Sequence, residues 1–379
     1  MPKKKWKYEI QAHQLFISRF SVCFRLFWKN KPSKRKLRKV FFICLISLFT
    51  THLQLIQRLL ITFRQRKVAF DKDPPVFILG YWRSGTTHLH YLMSQDKQFG
   101  YLNNFQSFSF NICLVTGAWL KYLMARITPP TRFVDRMELT MDHPQEEEQN
   151  MANTSTRTGL LSLFFPKDQA YFQKYNLFRG ISGKEKCCWQ KKYKQLLTTI
   201  SIANKYKPLL LKNPHNTSRV KELLELYPNA KFIYLHRNPY QVYPSMMRLF
   251  DRVIQSQYLQ DPEIGFEATW TLESYKTIQE KYLAERALIP KGNLVEVSFD
   301  ELEKTPMQSL ERIYTNLSLS GFEQNHSIFE AYLESQKNYR KNVFKRLDSE
   351  VLQKIHKEWA FAFDAFQYST DYPPSKKVQ

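Results

Sequence analysis

Four apolar residues, Val76-Phe77-Ile78-Leu79, run directly into Gly80-Tyr81-Trp82-Arg83-Ser84-Gly85-Thr86-Thr87, after which Leu89, Leu92 and Met93 recur at helical spacing. A short run apolar on both faces suits a strand inside a parallel sheet covered by helices. The turn between the two elements is then a ready anion site, because the first N–H groups of a helix lack helical acceptors and carry the positive end of its dipole. Gly80 and Gly85 permit the tight turn and the close approach of a ligand.

The same alternation continues downstream. Pro208–Leu211 reads as a second buried strand, Val220, Leu223, Leu224 and Tyr227 as an amphipathic helix, and Lys231–Leu235 as a third strand, which makes a βαβ unit. Leu294–Val297 reads as a further strand, followed by a helix through Leu310, Ile313, Tyr314 and Leu317. We therefore expect an α/β, P-loop-like three-layer fold, a central mostly parallel sheet flanked by helices. Asp73-Pro74-Pro75 marks its start, dividing the chain into a basic helical N-terminal extension, 1–72, and an α/β domain, 73–379.

Within the extension an apolar stretch, Val40–Phe49, continues more weakly through Leu53, Leu55, Ile56, Leu59, Leu60 and Ile61, with polar residues intruding. A spanning helix needs about 20 mostly apolar residues, so we expect either a helix packed on the domain or one lying on an anionic membrane through Lys34–Lys39 and Arg64–Lys67. No small-residue cleavage site follows, so a secretory signal is not expected. The 57 Lys and Arg against 34 Asp and Glu favour phosphate-bearing ligands or anionic surfaces, although much of the surplus lies at the chain ends. Five cysteines without paired spacing indicate neither a disulfide framework nor a metal site. The chain is expected to be cytoplasmic, with peripheral membrane contact through the N-terminal basic helices.

The spacing G-x-x-x-x-G is that of an ATP-binding phosphate loop, but Thr86 stands where such a loop carries its Lys. Arg83 with the hydroxyls of Ser84, Thr86 and Thr87 suits instead a 5′-phosphate bearing a small anionic partner. Arg237, at the end of the third strand, is followed eight residues later by Ser245. A strand-end Arg and a Ser on the next element can converge on a second phosphate. The alternatives are a P-loop nucleotide kinase or NTPase, which lacks here its Lys and a strand-end Asp for magnesium, and a non-catalytic basic membrane- or nucleic-acid-binding protein, which leaves the loop and the Arg237/Ser245 pair unexplained.

Taken together the two segments resemble the sulfotransferase family. Phe77–Leu89 is similar to its 5′-phosphosulfate-binding segment, Tyr227–Ser245 to its 3′-phosphate-binding segment, and Val297–Leu302 with Thr305-Pro306 to a strand-to-helix segment near its C-terminal end. The Arg-Ser-Gly-Thr-Thr loop is similar to the bacterial and tyrosine-modifying branches, whereas cytosolic members carry Lys where Arg83 stands. The resemblance implies transfer of a sulfonate group from 3′-phosphoadenosine 5′-phosphosulfate to a hydroxyl or amine, with no metal and no nucleic-acid partner. It also implies that Arg83, Ser84, Gly85, Thr86 and Thr87 hold the 5′-phosphosulfate, and Arg237 and Ser245 the 3′-phosphate. Tyr81 or Trp82 are the aromatics nearest the loop that could meet the adenine. Tyr339-Arg340-Lys341-Asn342 resembles a basic segment that approaches the nucleotide in relatives.

Such a transfer needs a general base for the acceptor proton and cations for the developing charge. Asp142-His143-Pro144-Gln145-Glu146-Glu147-Glu148 is the clearest source of carboxylates, with Pro144 suited to open a helix. It resembles the Pro-Gln-Glu-Asp-Glu segment of bacterial sulfotransferases, Glu147 replacing Asp. Glu146 and Glu147 are the leading bases, followed by His143. Other branches draw a Glu from just after the loop, where this chain has Gln106, an amide that cannot serve. Lys212, at another strand end, and Arg83 are the catalytic cations expected at the sulfonate. The acceptor, a carbohydrate, lipid, phenol or peptide, is left open.

Overall fold

The computed structural model describes residues 13–132, 134, 135, 137–337, 344 and 346–372; Tyr339–Asn342 thus lies outside the described residues. Three helices, α1 (Phe20–Asn30), α2 (Leu37–Phe49) and α3 (Thr51–Arg64), precede strand β1 (Val76–Leu79), and α4 (Thr86–Met93) follows it. β2 (Leu210–Lys212), β3 (Lys231–His236) and β4 (Leu294–Ser298) complete one sheet in the order β2-β1-β3-β4 with every pairing parallel. The α/β expectation is met: a parallel sheet lies between helical layers, and most of the remaining chain is helical.

Alternation along β1 explains the layering. Val76 and Ile78 pack with Leu89, Leu92, Leu310, Ile313 and Tyr314 on one face, while Phe77 and Leu79 pack with Trp189, Tyr193, Leu196 and Leu197 on the other. All four side chains are buried, so emptying one of these positions, as in Phe77→Ala, costs about 3–5 kcal/mol. Because every strand runs the same way, β1, β2, β3 and β4 deliver their C-terminal ends to one edge. That edge, where the order reverses between β1 and β3, is where open α/β sheets bind ligands.

The basic N-terminal helices share the interior with the loop after β1. Leu15, Cys23, Leu26 and Ile43 join a core that contains Tyr81, Trp82, Trp270 and Trp359. No single described helix is long and apolar enough to cross a membrane; α2 and α3 with their flanking turns meet at a 51° bend.

The first-turn preference of proline misplaces one helix start. Pro144 does not open the helix: Gln145 N–H donates to the Leu102 carbonyl at 2.8 Å and Pro144 bridges Asn103, so the chain turns only at Glu147 and the helix begins at Glu148. Glu146 and Glu147 therefore precede the helix.

Candidate active site

The turn after β1 is held by groups the sequence does not place beside it. Gly80 N–H donates to Thr217 Oγ1 at 2.8 Å, and with φ at 140° a Cβ there would lie 2.4 Å from the Leu235 carbonyl oxygen. Gly85 has φ at 93° and its missing Cβ would overlap the Phe299 ring at 2.2 Å. Arg83 also has positive φ, 74°, a strained backbone worth on the order of 1–3 kcal/mol. Thr86 and Thr87 open α4, so their N–H groups have no helical acceptor.

Arg237 follows β3 directly and its Nη1 donates to the Arg83 carbonyl at 3.1 Å, while Nε donates to Gln241 at 2.9 Å. Its guanidinium lies 4.3 Å from the Phe299 ring centroid. Burial lowers its pKa, and the neighbouring charge of Arg83 lowers it further. Ser245 sits in the helix Pro239–Leu249, which opens with Pro239 at its first turn and the Asn238 side chain capping Tyr240 N–H. Its Oγ accepts from Arg83 Nε at 3.1 Å. Two guanidiniums and a hydroxyl from separate elements thus meet at the turn. Arg83 also pairs with Asp135 at 3.3 Å, and Asp135 with Arg132 at 3.4 Å.

Lys212, buried at the end of β2, reaches Thr87 Oγ1 at 3.4 Å and Glu146 Oε1 in a short contact. Burial lowers its pKa, and Glu146 pulls back the other way. The three consecutive glutamates divide sharply. Glu146 lies on a cavity wall against Lys212. Glu147 is buried outside the cavity, accepting from Tyr193 at 2.9 Å and Asn216 at 2.8 Å with its Oε2 unpartnered; burial pushes its pKa up to about 7. Glu148 is equally buried, a penalty outweighed by Arg219, which forks onto it at 2.6 and 2.8 Å and holds it far below the usual range. His143 lies outside the cavity lining, its ring against Tyr91 at 4.7 Å and its pKa lowered by burial. Gln106 serves a capping box with Asn103.

The sequence model of the sulfotransferase family matches residues 74–324, which hold both half-sites and the acid segment. The chain belongs to the sulfotransferase family. It is 26% identical over 362 residues to the omega-hydroxy-beta-dihydromenaquinone-9 sulfotransferase Stf3 of Mycobacterium bovis and, equally, of Mycobacterium tuberculosis, covering 95% of this chain and 92% of the relative. Among solved structures, sulfotransferase STF9 of Mycobacterium avium matches with TM-score 0.65 at 16% identity over 83% of this chain and 82% of that one. Sulfotransferase STF1 of Mycobacterium tuberculosis matches with TM-score 0.62 at 15% identity over 90% of each chain. These two share the fold. The protein is therefore an enzyme that transfers a sulfonate group, and the kinase and non-catalytic readings give way.

A cavity of about 2940 Å³ runs through this sulfotransferase from the loop to α2, lined near the sheet by Arg83, Thr87, Lys212, Glu146 and Arg237. Farther out the wall is mostly apolar, with Phe108, Leu120, Met124, Leu160, Leu163 and Ile254, and carries Arg38, Lys39 and Arg126 as well. Of the two aromatics beside the loop, Trp82 reaches the cavity, whereas Tyr81 is enclosed in the core with its hydroxyl 2.7 Å from Ser274. Arg132, Asp135 and Thr217 join the site without having been expected there, and Phe299, part of the Val297–Leu302 segment, joins it without having been given a role. Phe299 was within reach of sequence reasoning, since it directly follows a strand whose end had to face the site.

Proposed function

We propose that the sulfotransferase takes 3′-phosphoadenosine 5′-phosphosulfate as donor, gripped at both phosphates by the Arg83–Thr87 turn and by Arg237 with Ser245. The observation that carries this reading is the convergence of Arg237, Arg83 and Ser245 within hydrogen-bonding distance around the turn. The cradle fits such a nucleotide chemically: two guanidiniums, hydroxyls, a helix N-terminus and two positions where a Cβ would collide. The donor supplies an activated sulfonate. Arg83 and Lys212 are the cations beside it, and Lys212 stands between Thr87 and Glu146.

Glu146 is the proposed base for the acceptor hydroxyl: of the carboxylates lining the cavity it is the one in contact with Lys212, whereas Asp135 is paired with Arg83 and Arg132 and Glu148 with Arg219. Glu147 is proposed instead as a buried support for Tyr193 and Asn216. The acceptor is proposed to be a largely apolar molecule bearing a hydroxyl, since the wall beyond Glu146 is mostly apolar; the lipid acted on by the Stf3 relatives is of that kind. The five unpaired cysteines support a reducing, cytoplasmic setting, with peripheral contact of the basic N-terminal helices on an anionic membrane.

Melting curves test the donor assignment. Adenosine 3′,5′-bisphosphate is expected to raise Tm by several degrees, in proportion to its saturation, and ATP with magnesium to leave it unchanged. A rise with ATP and magnesium alone would return the site to a nucleoside triphosphate.

A further inference from the structure

The outer surface of α3 is built the wrong way round for a helix in water. Its inward side carries Gln54 and Gln57, both buried, while Leu55, Ile56, Leu59 and Phe63 face out. Gln57 is fully used inside, donating to the Phe110 carbonyl at 2.8 Å and accepting from Leu114 N–H at 2.8 Å. These bonds tie α3 to the start of the helix Cys113–Ile127. That helix kinks at Gly117 and then turns Trp119, Tyr122, Leu123 and Ile127 outward at i, i+3, i+4, i+8 spacing. On α2, Phe41, Phe42, Leu45, Leu48 and Phe49 do the same. Phe49 is 76% exposed, Phe63 77% and Ile127 83% among the described residues. Three neighbouring helices thus present one apolar surface of a kind that soluble proteins keep small unless something covers it.

Charge says what covers it. Residues 10–70 hold thirteen Lys and Arg and no Asp or Glu, and residues 97–134 likewise contain no acid. Arg35, Lys36, Arg38 and Lys39 fringe the apolar surface of α2 at its start, and Arg64, Arg66 and Lys67 fringe that of α3 at its end. A second copy of the chain would set these cations against their own kind. An anionic lipid surface matches both the charge and the aromatic–aliphatic face, since Trp, Tyr and Phe side chains enter the interface while Lys and Arg meet headgroups.

The cavity reaches the same place. Phe42 and Ile46 of α2 and Leu120, Met124 and Ile127 of the kinked helix line it, so its outer end lies between two of the docking helices. We propose that α2, α3 and the helix Cys113–Ile127 seat the enzyme on an anionic bilayer with the acceptor cavity opening into it, so that a membrane-dissolved acceptor reaches Glu146 without crossing bulk water. The second half of this statement rests on the reading of the cavity as the acceptor site.

The full chain should co-sediment with phosphatidylcholine vesicles containing phosphatidylglycerol, much less with phosphatidylcholine alone, and less again as salt rises. Leu59→Glu with Trp119→Glu, at positions off the cavity wall, should weaken that binding about tenfold or more. Acyl-brominated lipid should quench tryptophan emission, and Trp119→Phe should remove part of the quenched signal. Equal binding by the double variant overturns the docking face. Binding without quenching reduces it to electrostatic adsorption and overturns insertion. A lipid-free dimer that Trp119→Glu dissociates would assign the face to a second copy. The bisphosphate melting shift, retained in every variant, separates these failures from failure of the donor assignment: loss of vesicle binding with the shift intact defeats the docking face alone.

Discussion

The donor cradle and the acid segment face one another across Lys212, and they are built on opposite plans. At the cradle, residues far apart in the chain are brought together by strand ends and fixed by their neighbours' backbone: Arg237 on the Arg83 carbonyl, Gly80 on Thr217, Gly85 against Phe299. In the acid segment, residues adjacent in the chain are driven apart. Glu146 is at the cavity, Glu147 is buried with a pKa near neutrality, and Glu148 is locked on Arg219. Chemistry at a cradle can be read from spacing, whereas chemistry in a run of like residues is decided by what each one is buried against.

The largest expected effect breaks the run at the member beside Lys212. Glu146→Gln removes the proposed proton acceptor and should lower kcat about a hundredfold to ten-thousandfold. The bisphosphate melting shift should persist, because the cradle is untouched. Unchanged turnover would move the base elsewhere on the cavity wall.

Glu147→Gln should instead change stability. Glu147 stays protonated in the folded protein up to about pH 7 but ionises near 4.5 when unfolded. Between those values the unfolded chain binds fewer protons, so stability falls as pH rises, by on the order of 3 kcal/mol across the window, and is flat above it. The variant cannot ionise at this position, so the urea midpoint of the parent should fall relative to that of the variant between about pH 4.5 and 7, while the buried histidines His13, His90 and His215 titrate alike in both. A difference between the two midpoints that does not change with pH would mean that Glu147 does not titrate in this window. Turnover at saturating substrate should change far less than in Glu146→Gln.

Arg237→Ala addresses the cradle. A guanidinium on a phosphate is worth about 1.5–3 kcal/mol, so bisphosphate affinity should fall roughly tenfold to a hundredfold, seen as loss of the melting shift at modest ligand concentration. Loss of folding without ligand would instead assign Arg237 to support of the Arg83 carbonyl alone.

This contrast also explains what was legible in the sequence. Val76–Leu79 and Lys231–Leu235 were readable as strands because a buried parallel strand is a nearly continuous apolar run, whereas Leu294–Val297, at the sheet edge, alternates in burial around Glu296 and was readable by its period of two. The Gly80–Thr87 turn was readable because a φ of 140° at Gly80 and the Phe299 ring at Gly85 admit nothing larger. Pro144 misled because the first-turn preference of proline is local, while the course of the chain there is set by Gln145 N–H donating to the Leu102 carbonyl, far back in the sequence. Asp135 and Arg132, joined to Arg83, were invisible for the same reason: their pairing is purely tertiary. Periodicity along α3 shows an apolar stripe without saying which way it faces, so only the buried Gln54 and Gln57 reveal that it points outward.

The smallest expected effect tests whether the cradle's rigidity matters as well as its charge. Phe299 fills the space a Cβ would take at Gly85 and lies flat enough under Arg237 for its ring face to meet the guanidinium at 4.3 Å. Phe299→Leu keeps an apolar contact for Gly85 but removes the ring's electrostatic attraction, worth about 0.5–1 kcal/mol where solvent still reaches. Bisphosphate affinity should therefore drop only twofold to fivefold, with kcat nearly unchanged, since the ring has no group that can move a proton. A loss as large as that of Arg237→Ala would show that the guanidinium depends on Phe299 for its position, making the strand-end aromatic a full partner in donor binding. No loss at all would leave the Arg83 carbonyl and Gln241 as sufficient anchors for Arg237.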